Sequence, residues 1–202
     1  MTIQHRLITD AERHEPKGAS TATIGQVAKA NGDGTTTFVN PATLVNVGLA
    51  STIESQNFTT QNPSGTDAPM LVVWGSATSD ANVSIATDGT ITFLTAGLYF
   101  VTFNLNFGRS TTTAIATLLA RLLVNDVAVG FTQATKIDTS ANITPFNASV
   151  LRNFSVNDTL KVQVIRDSAG QNDGGLVIID PVLAGWATSP SAAIRIQKIL
   201  GA

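Results

Sequence analysis

Gly97-Leu98-Tyr99-Phe100-Val101-Thr102-Phe103-Asn104-Leu105-Asn106-Phe107 alternates so regularly that it leaves the chain little conformational choice. Tyr99, Val101, Phe103, Leu105 and Phe107 hold every odd position. A β-strand sends successive side chains to opposite faces, so these five form one unbroken apolar face that must be core. The opposite face, Phe100, Thr102, Asn104 and Asn106, is half polar and can meet either water or another subunit.

The strand pattern runs on through the rest of the chain. From about residue 66, runs of Thr, Val, Ile and Phe lie between Gly, Asn and Asp clusters, as in an all-β sandwich or barrel. Further strands are expected at 70–74, 127–135, 147–152, 159–166, 176–179 and 193–199. One segment resists. Ile115, Leu118, Leu119, Leu122 and Leu123 recur at helical spacing across 113–124. Val124-Asn125-Asp126-Val127, however, reads as a strand entering a hairpin turn, and a helix here would interrupt the sheet. Strand is the expectation.

A chain of 202 residues can bury roughly 70% of its unfolded surface, so a real core is available. Charged residues are 13% of the total, about half the usual share of about 25%, which excludes a disordered solvating chain and most coiled coils. The net charge of -2 carries no basic footprint, so no nucleic-acid partner is expected. The absence of cysteine excludes disulfides, thiolate metal sites and cysteine nucleophiles. The opening MTIQHRLITDAERHEPKG has no apolar run of signal-peptide length, and TLLARLLV is short and interrupted by Arg121, so no membrane association is expected either.

The first twenty residues are unlike the rest of the chain. His5 and His14, the two histidines of the protein, lie here with Arg6, Asp10, Glu12, Arg13, Glu15 and Lys17. Two readings stand: a solvated terminus, or a docking peptide anchored by Ile3, Leu7 and Ile8 and oriented by its charges. Pro16 stops any helix at this point. Residues 18–44 read as an extended linker with one small hairpin at Asn31-Gly32-Asp33-Gly34. Asp33-Gly34-Thr35-Thr36-Thr37-Phe38 returns as Asp88-Gly89-Thr90-Ile91-Thr92-Phe93 without matching surroundings, which indicates one turn-into-strand solution used twice.

Catalytic chemistry is thinly supplied. Both histidines fall outside the expected core, and no GxSxG, HExxH, P-loop or GxGxxG pattern occurs. Most of the eleven aspartates sit in turn sequences such as Asp88-Gly89, Asn125-Asp126, Asn157-Asp158 and Asp180-Pro181. The oxygen-rich stretch 167–175 fits a long hairpin loop better than a cation loop, as its spacing matches no EF-hand. Trp74 and Trp186 read as sandwich packing, with Trp186, beside Gly185, also able to stand at a loop tip. No enzyme, cofactor or metal is expected; binding through a broad protein surface remains.

Gly97 to Phe103, then Arg121-Leu122-Leu123-Val124-Asn125-Asp126, then Val150-Leu151-Arg152-Asn153-Phe154-Ser155-Val156-Asn157-Asp158-Thr159-Leu160-Lys161-Val162, resembles the globular heads of the C1q and tumour necrosis factor superfamily in order and spacing across about 68–199. The resemblance implies a jelly-roll β-sandwich that forms compact homotrimers. Tyr99, Val101, Phe103 and Leu105 would then fill the sandwich, and Phe100, Thr102, Asn104 and Asn106 would face the threefold neighbour.

Ile8 to Gly18, leading into Val27-Ala28-Lys29-Ala30-Asn31-Gly32-Asp33-Gly34, is similar to the N-termini of virion proteins of tailed bacteriophages, particularly head fibre and capsid decoration proteins. This second resemblance implies a capsid-anchoring arm and linker at 1–44 and a jelly-roll head at 45–202. It implies assembly in the host bacterial cytoplasm and a place on the capsid surface of the virion, with the major capsid protein as partner. The arm residues expected to touch the shell are Ile3, His5, Arg6, Leu7, Ile8, Arg13, His14, Glu15, Pro16 and Lys17. A tail fibre or receptor-binding head is the alternative.

Overall fold

The computed structural model describes residues 22–33, 35–40, 49–109, 115–138, 143–167 and 174–199. The chain divides into two compact units, Met1–Val47 and Gly48–Leu200. In the first, β1 (Val27–Ala30) and β2 (Thr36–Val39) form an antiparallel hairpin, the small hairpin expected of the linker. Its turn is made by side chains: Thr35 N–H donates to Asp33 Oδ1 at 2.8 Å, and Asn31 Nδ2 donates to Thr35 Oγ1 at 2.8 Å. The second copy of the motif closes in the same way, with Thr90 N–H donating to Asp88 Oδ1 at 2.8 Å. The repeat is therefore a repeated Asx turn.

The larger unit is all-β, with no helix among the described residues. Its strands are β3 (Leu49–Asn57), β4 (Met70–Leu71), β5 (Thr78–Ser79), β6 (Val83–Ile85), β7 (Ile91–Phe93), β8 (Gly97–Gly108), β9 (Ala116–Val124), β10 (Val127–Ile137), β11 (Thr144–Phe154), β12 (Thr159–Arg166), β13 (Gly175–Leu176) and β14 (Ala192–Ile199). One antiparallel sheet runs β11-β8-β14-β3, with β13 also paired to β8; the other runs β10-β9-β12-β7-β6-β5, with β4 paired to β12. The chain passes repeatedly from one sheet to the other, so neighbours within a sheet are often distant in sequence.

The inward rows of both sheets enter one hydrophobic cluster, as in a sandwich. Tyr99, Val101, Phe103, Leu105 and Phe107 of β8 are all buried, as their alternation requires, against Leu160, Val162 and Val164 of β12 and Leu118 of β9. At one end Phe93 stacks on Phe154 with ring centroids 3.8 Å apart, and Tyr99 meets Phe93 edge-on at 4.6 Å. Trp74 is wholly buried and donates from Nε1 to the Gly89 carbonyl at 3.1 Å. Gly89 has φ of 87°, and a Cβ there would strike the Val72 carbonyl, so the turn into β7 needs glycine.

The segment of helical spacing forms β9, which leads through Asn125-Asp126 into β10. Both turn residues have positive φ, 50° and 64°, the conformation of a tight hairpin turn that Asn and Asp tolerate. Two expected strands are shorter than the sequence suggests. The one at 70–74 ends at Leu71, because side chains take over its backbone: Val73 N–H donates to Gln61 Oε1 at 2.8 Å, and the Val73 carbonyl accepts from Gln61 Nε2 and Asn57 Nδ2. The one at 176–179 is β13 alone, since Val177 N–H turns to the Asn106 carbonyl and Ile179 bridges to Ser189. β3 occupies a stretch between the linker hairpin and residue 66 for which the sequence offers no strand expectation.

Candidate interaction surface

The side of the β11-β8-β14-β3 sheet turned away from the core forms a ruled surface whose rungs follow from the register. Leu151, Phe100, Gln197 and Thr52 stand side by side, then Ser149, Thr102, Arg195 and Glu54, then Asn147, Asn104, Ala193 and Gln56. Phe100 and Thr102 are half-buried, Asn104 is exposed, and Leu151 beside Phe100 is 62% exposed. The face carries two charges, and they neutralise each other: Arg195 Nη2 lies 2.6 Å from Glu54 Oε1, and Arg195 Nε donates to the same oxygen at 2.6 Å. Around that pair is a shallow depression of about 220 Å³ lined by Glu54, Gln56, Thr102, Asn104, Ala193 and Arg195.

Phe100, Thr102, Asn104 and Asn106 thus share one face of β8, as their spacing requires. Asn106 also has an internal task. Its Nδ2 donates to the Pro190 carbonyl at 2.8 Å and to Ser189 Oγ at 3.1 Å, fixing the approach to β14. Glu54, Gln56 and Arg195 join the surface without having been singled out from sequence. Arg195 was legible in the alternation of Ile194 and Ile196; β3 gave no such signal because its inward positions include Ser55 and Asn57. Ile3, His5, Arg6, Leu7, Ile8, Arg13, His14, Glu15, Pro16 and Lys17 lie outside the described residues.

A second surface stands on the loop before β14. Val182, Leu183 and Trp186 are exposed together, Trp186 at 72%. The base of the loop is closed by the paired backbone bonds of Ile179 and Ser189 and by Thr188 Oγ1 donating to Asp180 Oδ1 at 2.6 Å. Trp186 N–H donates to the Leu183 carbonyl at 3.3 Å, and Gly185 supplies the positive φ of 88° this turn needs. Trp186 therefore occupies the loop tip, whereas Trp74 packs in the core. A third feature is an apolar cavity of about 200 Å³ between the sheets, lined by Phe103, Leu122, Val129, Phe146, Ala148 and Val162. Its rim adjoins a bulge in β10, where the pairing jumps from Val129 to Gln133.

The carboxylates with shifted pKa serve turns. The Thr90 backbone N–H, followed by its hydroxyl, holds Asp88 below the ordinary carboxyl value. The Asn125 side-chain amide, then the Ser155 N–H, does the same for Asp158; the Thr35 hydroxyl, then its N–H, does so for Asp33. Burial pushes the Tyr99 hydroxyl up. Among the described residues no three acidic or histidine side chains gather closely enough to hold a metal ion. Of the stretch 167–175, residues 168–173 lie outside the described residues. The arrangement offers flat and apolar contact surfaces. The chain matches none of the known protein-family models and none of the curated proteins with which it was compared.

Proposed function

We propose that this chain is a structural protein of a tailed-bacteriophage virion, a homotrimeric capsid decoration or head fibre protein. Its β head is a jelly roll of the C1q and tumour necrosis factor type, and its N-terminal arm binds the major capsid protein. The strand order β11-β8-β14-β3 and the repeated passage between sheets support the jelly-roll reading. The observation that carries the trimer is the outer face of that sheet. Phe100 and Leu151 sit among neutral Thr102, Asn104, Asn147 and Ser149, and the one ion pair is internally balanced. Protein interfaces deplete net charge at their centre, and a face presented identically by every copy suits closed symmetric association. In this reading the arm residues Ile3 to Lys17 give attachment, and three arms on one trimer multiply a weak single contact.

Sedimentation at micromolar concentration tests the trimer, and a monomer refutes it. Deleting residues 1–20 should leave a folded trimer that no longer attaches to capsids; undiminished attachment would move the contact onto the head. The exposed trio Val182, Leu183 and Trp186 favours a second reading, a tail fibre or receptor-binding head that recognises the host surface. Labelled antibody on intact virions separates the two by marking the shell or the tail.

A further inference from the structure

The inward rows of two strands in opposite sheets end in the same way. On β8 the buried series Tyr99, Val101, Phe103, Leu105 and Phe107 is followed at the next inward position by Arg109. On β12 the series Leu160, Val162 and Val164 is followed by Arg166. Both arginines are buried, with 5% and 6% of their surface exposed. The register brings these strand ends together. Gly108 pairs with Gly175, so Gly174 comes opposite Arg109, and the Gly174 carbonyl accepts from Arg166 Nη1 at 3.3 Å. Arg166 Nη2 donates to the Pro63 carbonyl at 3.0 Å, which fixes its guanidinium from a second side.

Arg109 has no such support. Its Nε, Nη1 and Nη2 are all buried and none has a hydrogen-bond partner. Asp67, Asp138 and Asp167 lie near the same strand ends, yet none bonds to the Arg109 guanidinium. A buried lysine can escape such a position by losing its proton; a guanidinium, whose charge is delocalised over three nitrogens, keeps it. An uncompensated buried charge is among the costliest arrangements in a fold. What the Arg109 guanidinium lacks, among the described residues, is an acceptor oxygen within hydrogen-bond reach.

We propose that Arg109, with Arg166 beside it, forms a binding site for a small tetrahedral oxyanion of the phosphate or sulfate class. The planar guanidinium fork matches two oxygens of such an anion at once, and the anion supplies the acceptors Arg109 lacks. Arg166, held by the Gly174 and Pro63 carbonyls, adds fixed positive charge without having to reorganise. The site belongs to the single chain and stands whether or not the head forms trimers.

The test titrates the full chain with inorganic phosphate at constant ionic strength, reading the thermal midpoint and the phosphorus NMR linewidth. The wild-type midpoint should rise saturably with phosphate, as it must for a ligand that binds the folded state alone. Arg109→Met should weaken binding at least about tenfold, the usual scale for losing a charged hydrogen-bond donor, and without phosphate should be no less stable than wild type. Arg121→Met, which removes an arginine exposed on β9, should bind phosphate as wild type does. If Arg109→Met fails to fold, Arg109→Lys keeps the charge, removes the fork and should still weaken binding about tenfold. A wild-type midpoint that does not respond to phosphate overturns the proposal. So does equal phosphate affinity in whichever Arg109 variant folds.

Discussion

Arg195 of β14 and Glu54 of β3 stand on one rung of their sheet, and their side chains meet at 2.6 Å beside Thr102 and Asn104. Both are about half exposed in the single chain. An exposed pair of this kind contributes about 0–1 kcal/mol to folding. Covered by a neighbouring copy, the same pair becomes essential, since removing one partner of a buried pair costs about 3–5 kcal/mol. Glu54→Gln should therefore barely move the urea midpoint of the chain while markedly weakening self-association measured by sedimentation equilibrium. Equal, small effects on both would place this face in solvent.

Asn104→Asp asks the same question with the opposite chemistry. Asn104 is exposed in the single chain, so the change should alter its folding stability by no more than about 0.5 kcal/mol. In a trimer it would bring three like charges towards one axis with little water to screen them. Sedimentation should show the trimer shifting to monomer, more so at low salt. A salt-independent trimer of normal strength would put Asn104 outside the contact.

Tyr99→Phe isolates one buried hydroxyl. Tyr99 Oη donates to the Thr95 carbonyl at 2.7 Å and lies 3.0 Å from Thr95 Oγ1. Thr95 Oγ1 in turn accepts from Lys198 Nζ at 2.7 Å, tying β14 to the turn before β8. Removing the hydroxyl leaves acceptors in a tight site and should cost about 1–2 kcal/mol. Equilibrium urea denaturation should show a lower midpoint at unchanged slope.

Acid should weaken the turns at Asp88 and Asp158. Both carboxyls are held below their ordinary value of 3.8 by bonds that the charged form accepts. Each therefore contributes stability that is complete above about pH 5 and is lost as pH falls through the lowered folded value. Thermal midpoints between pH 7 and pH 2.5 should fall at the acid end. The double variant Asp88→Ala, Asp158→Ala should start lower at pH 7 and show a shallower acid decline. An unchanged acid slope would exclude these two groups as its source.

Much of the sandwich is legible where burial is one-sided. The β8 row from Tyr99 to Phe107 alternates because one face is core and the other is not. β9 misleads because its phase slips: Leu118 and Ala120 face the core, Arg121 is exposed, and Leu123 and Val124 are both buried, which imitates helical spacing. β3 is illegible for a chemical reason. Ser55 and Asn57 point inward to bond the Trp74 and Val73 carbonyls, so a core-facing row reads as polar. That Phe100, Thr102, Asn104 and Asn106 share one face of β8 follows from alternation alone. Their partners Glu54 and Gln56 do not, because only the register of β3 against β14 brings them alongside.

The place of β14 orders events in time. It lies between β8 and β3, and the Arg195–Glu54 contact joins residues 141 positions apart. A ribosome must therefore deliver residues through Ile199 before this sheet can close, whereas the β9–β10 hairpin needs only its own residues and can form early. Nascent and prematurely terminated chains lack an inner strand of the surface proposed for self-association. They cannot offer a complete face to a finished copy, so assembly would admit only chains synthesised through β14.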